Sequence, residues 1–432
     1  MNSSSTEKAT AINRLESSNT DNTVRILHTS DWQLGMKRKF LGKDGQARFY
    51  EARLAAVERL FQVAAQEQCD AIVVAGDVFD DNLLDRQVYR RAMDVLAEAP
   101  CPVYLLPGNH DPLDAASIYA KDEFRSLAAR DRAPVIVLDD SEPREIPGRS
   151  DPLAPAFIVG APLTSKQASE DLVYATAEKL RQVGPPEVEC KNWEARINVV
   201  VGHGAVEGFG RAFDPSLIDV SAAAEACRDR VMDYVALGDT HSAIQLHPDS
   251  TVWYSGAPEV TDYMEPNGGG ENNSGKVLIV DIAVNAVRPH EPARLAVHEV
   301  EVGQWRFQAL DAVVNSHEDV QAFVEQLERM TNKRQTAVKY GLTGALSLSD
   351  NALLEDKLET MSDGFAALYP RERRMDLKTL VELDQVGEDS FGSGFVGQVA
   401  QQLATRSESD DVANDALKLL FRIHTAQAGQ GE

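Results

Sequence analysis

The chain has 432 residues, enough for roughly two to three domains and a full-sized core. Its 43% hydrophobic and 26% charged residues suit a folded, water-facing protein, and 68 acidic against 43 basic residues leave a net charge of −25. That charge excludes a protein that coats nucleic acid non-specifically, because such binding rests on Lys and Arg neutralising phosphates; a local basic groove on an acidic body stays compatible with it.

Met1–Thr23 is rich in Ser, Asn and Thr and lacks the apolar centre of a signal peptide, so it reads as a disordered leader of a cytoplasmic protein. No apolar run approaches a membrane span, and no membrane association is expected. Cys69, Cys101, Cys190 and Cys227 are scattered with no CxxC pair, which argues for reduced core residues rather than a zinc site or a disulfide framework. Structure is expected from Val24, with a strand over 24–29, a helix over 48–68 and a strand over 71–75. A helix over 85–99 and a strand over 103–106 follow. Continuous apolar strands separated by helices imply an α/β arrangement buried on both faces. Further strands are predicted at 135–138, 156–159, 197–201, 234–237, 251–255 and 276–282. The Gly/Asn-rich stretch 265–275 between the last two has little to bury and reads as a mobile loop. Residues 286–378 mix strand and helix patterns and read as a smaller α+β domain. The tail, 385–432, opens on an acidic linker (Glu388-Asp389-Ser390) and then carries two helical patterns split at 407–411. Leu417, Leu420 and Phe421 lie on one stripe of the second.

Chemistry collects where the predicted strands end, the place at which open α/β sheets bind ligands. The ends carry Asp31-Trp32-Gln33, Gly76-Asp77-Val78-Phe79-Asp80, Gly108-Asn109-His110-Asp111, Gly202-His203-Gly204 and Gly238-Asp239-Thr240-His241. Carboxylates, an amide and imidazoles without thiolates suit Mn²⁺, Mg²⁺ or Fe²⁺ better than a structural zinc. Carboxylates so close together need cations to neutralise them, and a pair of metals bridged by one carboxylate catalyses in-line displacement at phosphorus. A lone Gly-Asp turn or Asn-His-Asp cap would mean little; the series in this order at successive strand ends is what points to a metal site.

This series resembles the calcineurin-like metallophosphoesterase superfamily over residues 24–285. "TSDWQLG", "VVAGDVFD" and the strand of Tyr234–His241 followed by "YSGAPEV" are most similar to the SbcD-type DNA-repair nucleases within it. The resemblance implies a metallophosphoesterase β-sandwich flanked by helices (24–285), a smaller α+β capping domain (286–378) and a C-terminal helical, partner-binding segment (385–432). It implies two divalent metals, Mn²⁺ first and Mg²⁺ second. Asp31, Gln33 and His241 would hold the first metal, Asn109, His203 and Asp239 the second, and Asp77 both. His110 would face the scissile phosphate as a catalytic residue, with Asp80 orienting substrate or assisting it. The family usually has His at the positions of Gln33 and Asp239. Gln is a weaker, neutral ligand and Asp a hard, charged one, so these departures favour oxygen-loving ions and leave a slower enzyme or an inactive scaffold open.

Around that site, Trp32 can stack on a base, and Arg38 and Lys39, in a basic cluster with Lys37, Arg48 and Arg53, can contact phosphates. An ordinary solvated loop and a packed Trp are the plain alternatives. Arg371, Arg373 and Arg374 read as surface salt-bridging. The implied activity is metal-dependent DNA phosphodiester hydrolysis in repair. The implied partners are DNA, an SMC-like ATPase held through the C-terminal helices, and a second copy of the chain. A small-molecule phosphodiesterase or phosphatase on the same fold, and a weakly active adaptor for the ATPase, are the rival readings.

Overall fold

Short continuous runs of Val, Ile, Leu and Ala set the framework, since a strand covered on both faces needs no polar alternation. The computed structural model describes residues 12–149, 154–182, 192–207, 214–380, 394–407 and 410–428. In chain order come β1 (Asp21–Thr29), α1 (Gly42–Gln66), β2 (Ala71–Val74), α2 (Arg86–Leu96), β3 (Val103–Leu105), α3 (Asp122–Ala128) and β4 (Val135–Val137). β5 (Arg144–Glu145), β6 (Ala156–Gly160), α4 (Leu172–Gln182), β7 (Ile197–His203), α5 (Val220–Arg228) and β8 (Tyr234–Gly238) follow. β9 (Ile244–Gln245), β10 (Val252–Tyr254), β11 (Lys276–Asn285) and β12 (Arg294–Glu301) complete the first unit's strands.

These strands form two six-stranded sheets, ordered β12-β11-β1-β2-β3-β4 and β5-β6-β7-β8-β10-β9. β1 to β4 run parallel, as do β6, β7, β8 and β10. The sheets face each other across a core that includes Ile26, Val73 and Tyr104 from one and Ile158, Val199 and Ala236 from the other. Leu54, Val57 and Leu60 of α1, Ala92 and Leu96 of α2 and Phe124 of α3 cover the outer face of the first sheet. Val173 and Ala177 of α4 with Ala224 and Cys227 of α5 cover that of the second. The result is a β-sandwich flanked by helices.

The chain divides into two units. The first takes in the described residues up to Arg38, Gln46–Asp262 and Glu271–Trp305; the second takes in Lys39–Gly45, Tyr263–Gly270 and the described residues from Arg306 on. Three sequence expectations change here. Of the leader, residues 12–23 are laced onto the sheet. The amides of Ile12 and Leu15 donate to the carboxylates of Glu67 and Asp281, and Asp21–Thr23 already belong to β1. The remainder of the leader lies outside the described residues. The division expected at 286 falls instead at Arg306, because β12 is hydrogen-bonded along its length to β11. Residues 265–275 are not a loose loop: Glu265 is ion-paired to Lys339 and Arg371, and Glu271 is buried.

In the second unit β13 (Arg306–Val314), β14 (Thr336–Ser347), β15 (Ala367–Pro370) and β16 (Asp376–Leu380) form a parallel sheet centred on β14. α6 (His317–Glu328) and α7 (Leu348–Ser362) pack on it through Phe323, Leu327 and Leu354. α8 (Phe395–Ser407) and α9 (Asp411–Ala428) pack against each other, with Leu417 buried against Ala400, Ala404 and Leu348. Leu420 and Phe421 flank that cluster, so the predicted stripe is turned onto the chain itself. The expected linker at 388–390 lies outside the described residues. Among them no helix is long and apolar enough to cross a membrane, and Cys69, Cys101 and Cys227 are free.

Among the polar contacts that tie the two sheets, one lies deep in their shared core. His28 of β1 donates Nε2–H to the Leu237 carbonyl of β8 at 3.2 Å, so its Nδ1 accepts the Tyr234 hydroxyl at 3.0 Å. Burial drives this imidazole down to about 3, and its bond to the carbonyl opposes the shift only in part. Tyr234→Phe leaves the buried Nδ1 without a donor and should cost about 1–3 kcal/mol in urea unfolding at neutral pH. Because His28 is held neutral below its ordinary value, its contribution is full above about pH 6.5 and should fade as pH falls toward 3.

Candidate metal centre

Three adjacent strands of one sheet, β1, β2 and β3, and two of the other, β7 and β8, point their carboxyl ends into one place. The loop after β1 runs on beside the loop after β2: Asp31 N–H donates to the Gly76 carbonyl at 3.0 Å and Gln33 N–H to the Asp77 carbonyl at 2.8 Å. The backbones turn sharply there. Asp31, Gln33, Asp77 and Asp239 have φ of 52°, 40°, 51° and 105°, a region that side-chain-bearing residues enter at a cost of about 1–3 kcal/mol each. Two of the four glycines that directly precede predicted ligands make room for the cluster itself. A Cβ on Gly76 would strike the His203 ring, and one on Gly108 would strike the Asp77 carboxylate.

Asp31, Asp77 and His203 are buried and offer one ligand atom each, all within 4.8 Å of one another. His203 Nε2 lies 2.7 Å from Asn109 Oδ1, 3.5 Å from Asp77 Oδ1 and 3.9 Å from Asp239 Oδ1. His241 Nε2 lies 3.6 Å from Asp31 Oδ1 and 3.2 Å from Gln33 Nε2. The seven predicted ligands therefore meet in one cluster within the first unit, with Asp77 and Asp31 between the two imidazoles.

A family model for calcineurin-like phosphoesterases matches residues 24–243, half of the chain. The chain belongs to that family. It is 28% identical over 252 residues to SbcD, a component of nuclease SbcCD, from Escherichia coli K12; the match covers 54% of this chain and 60% of the relative. The SbcD of Bacillus subtilis nuclease SbcCD is 37% identical over 98 residues, covering 22% of this chain and 24% of the relative. The DNA double-strand break repair protein Mre11 of Methanosarcina mazei is 32% identical over 123 residues, 28% of this chain and 19% of the relative. Among solved structures, a dimetal phosphatase from Danio rerio is 11% identical, with a TM-score of 0.35, and covers 65% of this chain and 99% of its own.

Calcineurin-like phosphoesterases are metal-dependent, and the residues here fit divalent cations. Asp31 Oδ1 and Gln33 Oε1 are buried with no hydrogen-bond partner, so the cluster holds lone pairs that protein donors leave open. The charge balance agrees. Burial pushes the Asp31 carboxyl up, and Asp77 adds to it while His241 and His203 oppose. Burial alone would lower His203, but Asp77, Asp31 and Asp239 outweigh it and raise it to about 9. His203 donates Nδ1–H to the Ala75 carbonyl at 2.8 Å, and its Nε2 proton goes to Asn109. A cation would take the place of that second proton.

His110 stands at the exposed edge, its side chain 41% accessible and its Nε2 3.9 Å from Asp77 Oδ2. Its backbone N–H donates to Asp77 Oδ1 at 2.9 Å, and its Nδ1–H donates to the carbonyl of Asp80 at 3.0 Å. Asp80 thus orients His110 through the main chain, while its own carboxyl is pushed up by burial against the pull of His110.

The sequence-predicted substrate contacts fare differently. Trp32 is 1% exposed, donates Nε1–H to Thr29 Oγ1 at 3.1 Å and packs edge-on against Phe61, so it supports the sheet and cannot stack on a base. Arg53 is also buried and donates to the carbonyls of Asp31, Trp32, Glu259 and Val260, holding the first ligand loop from below. Arg38 is half-buried and donates to the Thr261 carbonyl; Lys37 and Lys39 are exposed. Arg371 and Arg374 salt-bridge to Asp311, as the sequence suggested.

Sequence reasoning passed over Asp111, which lies buried beneath the cluster. It accepts from Gly108 N–H, Phe79 N–H and the Tyr119 hydroxyl at 2.7, 3.0 and 2.6 Å. Burial and then Asp77 push it to about 6 against those three donors. Its signal was the unbroken Asn-His-Asp run.

Metal affinity should rise with pH, because a cation must displace the Nε2 proton of His203, held up to about 9. Mn²⁺ titrations between pH 6 and 8.5 should tighten by about tenfold per unit for that single proton. Gln33→His, which supplies an imidazole where the amide now faces His241, should tighten the weaker Mn²⁺ step and leave the stronger one unchanged in calorimetry.

Proposed function

We propose that the chain is a two-metal phosphodiesterase that cleaves DNA. The observation that carries this is the convergence of Asp31, Asp77, Asn109, His203, Asp239 and His241 at adjoining strand ends in a chain similar to nucleases. Asp31, Gln33 and His241 would hold one cation, Asn109, His203 and Asp239 the other, and Asp77 both. Mixed oxygen and imidazole ligands favour Mn²⁺ over Mg²⁺. When bound, two such cations supply charge neutralisation at the phosphoryl oxygens and acidify water. His110 is aimed by the Asp80 carbonyl so that Nε2 meets the scissile phosphate, where it gives a proton to the leaving oxygen. Arg38, at the edge of the first unit, holds the phosphate backbone in this reading.

The SbcD relatives belong by name to a nuclease of more than one subunit. We assign the tail to such a partner, an SMC-like ATPase. Leu417 is committed to its own chain, but Val412, Leu419 and Ile423 of α9 are 78%, 56% and 50% exposed at i, i+7 and i+11. That spacing suits docking against another helix.

The test is cleavage of labelled linear duplex and single-stranded DNA with Mn²⁺, Mg²⁺ or chelator. Metal-dependent cutting is expected, lost in Asp77→Ala together with bound metal. His110→Ala should keep its metal and cut about 10²–10⁴-fold more slowly. Metal-loaded protein that leaves DNA intact yet hydrolyses a small phosphodiester would overturn the assignment of substrate.

A further inference from the structure

His241 is one end of a hydrogen-bonded chain whose direction can be read link by link. Its Nδ1 bonds to Thr261 Oγ1, and Thr261 Oγ1 lies 2.6 Å from Glu271 Oε2. The Glu271 carboxylate also receives the backbone N–H groups of Thr261 at 3.0 Å and Asp262 at 2.5 Å. A carboxylate oxygen accepts and does not donate, so the single hydroxyl proton of Thr261 goes to Glu271. Thr261 Oγ1 is then left as an acceptor, and His241 must supply Nδ1–H. The far side of the ring agrees independently. Gln33 Nε2, a group that only donates, lies 3.2 Å from His241 Nε2, which is therefore the nitrogen with the lone pair.

The supports of this chain are buried. Thr261 is 0% and Glu271 7% exposed. Arg53 bonds the carbonyls of Glu259 and Val260 on one side and those of Asp31 and Trp32 on the other, so the segment leading into Thr261 is fastened to the loop that carries Asp31. None of Thr261, Glu271 or Arg53 has a ligand atom in the metal cluster.

We propose that Thr261 and Glu271 are positioning residues that fix the tautomer of His241, keeping Nε2 unprotonated and aimed at Asp31 for the first cation. This rests on the reading of His241 as a ligand of that cation. Partners of this kind, behind a ligating imidazole, change metal affinity by about 10–100-fold when removed. Because Glu271 accepts only, the relay has one direction. Removing the Thr261 hydroxyl leaves Nδ1 without its acceptor and admits the opposite tautomer.

The experiment uses the full chain, ¹⁵N-labelled at histidine, with the His241 signals assigned by their loss in His241→Asn. In metal-free wild type the spectrum should show His241 as the Nδ1–H tautomer, and Mn²⁺ titration should give two binding steps. Thr261→Val should reduce the tautomer preference to what Gln33 alone supplies and weaken one step by about 10–100-fold while the other keeps its wild-type affinity. Thr261→Ser should restore both readings. Thr261→Ala, which removes the same hydroxyl with a smaller side chain, should read as Thr261→Val does, which keeps the proposal testable if Thr261→Val folds poorly. Wild-type tautomer and affinities in Thr261→Val and Thr261→Ala would overturn the relay. A wild type that shows the Nδ1–H tautomer but no second Mn²⁺ step would instead overturn the assignment of His241 as a ligand.

Discussion

Concentrated negative charge beneath a buried surface is the constraint from which the first unit follows. Asp31 and Asp77 are almost fully buried, and the Asp239 carboxylate joins them around the His203 ring. Buried carboxylates are costly unless a cation or a donor meets each oxygen. In this chain the compensation comes as a proton held tightly on His203, a Ser30 hydroxyl and the Asp239 amide on Asp31 Oδ2, and the His110 amide on Asp77. Asp31 Oδ1 has none of these. A divalent cation at that point would remove the repulsion and take the lone pairs that remain, so the arrangement that is costly without a cation suits one.

Holding such a cluster requires a rigid frame. The frame is the parallel strand ends, which deliver ligand loops at strand spacing, and the bonds that run from loop to loop beyond the last ladder pair. Four of the predicted ligand positions adopt left-handed backbone, and Gly76 and Gly108 make room where a side chain would enter the cluster. Deeper down, His28 joins β1 to β8, the strands that lead into Asp31 and Asp239. Arg53 and Asp111 work from beneath on the first and third ligand loops. These buried polar groups are fully engaged, and such networks favour one arrangement over near alternatives.

The second unit uses charge in a plainer way. Glu265 is gripped by Lys339 and Arg371, and Asp311 by Arg371 and Arg374, so the arginine cluster neutralises acids of its own unit. Its two C-terminal helices bury small residues, Ala400 and Ala404, against Leu417, and leave a different set of apolar side chains outward.

What the sequence determined by itself was the set of strands and the chemistry at their ends. Continuous Val/Ile runs closed by Gly-Asp, Gly-Asn-His-Asp and Gly-His are local signals, because each depends only on the apolar demand of a buried strand and on the turn that follows it. The convergence of those side chains was legible for that reason, as were β1 to β3, β7 and β8. Partners of buried polar groups were not, because they come from positions far apart in the chain. Trp32 and Arg53 looked like substrate contacts until the packing of α1 put both beneath the sheet, and Glu271 looked like part of a loose Gly/Asn loop until two amides and a hydroxyl closed on it. The edge of the first unit was set by β12 pairing with β11, a choice of neighbour that no local pattern encodes. Composition and periodicity specify which residues seek burial; only the tertiary structure decides against which partner each polar group is buried, because that depends on which strands become neighbours.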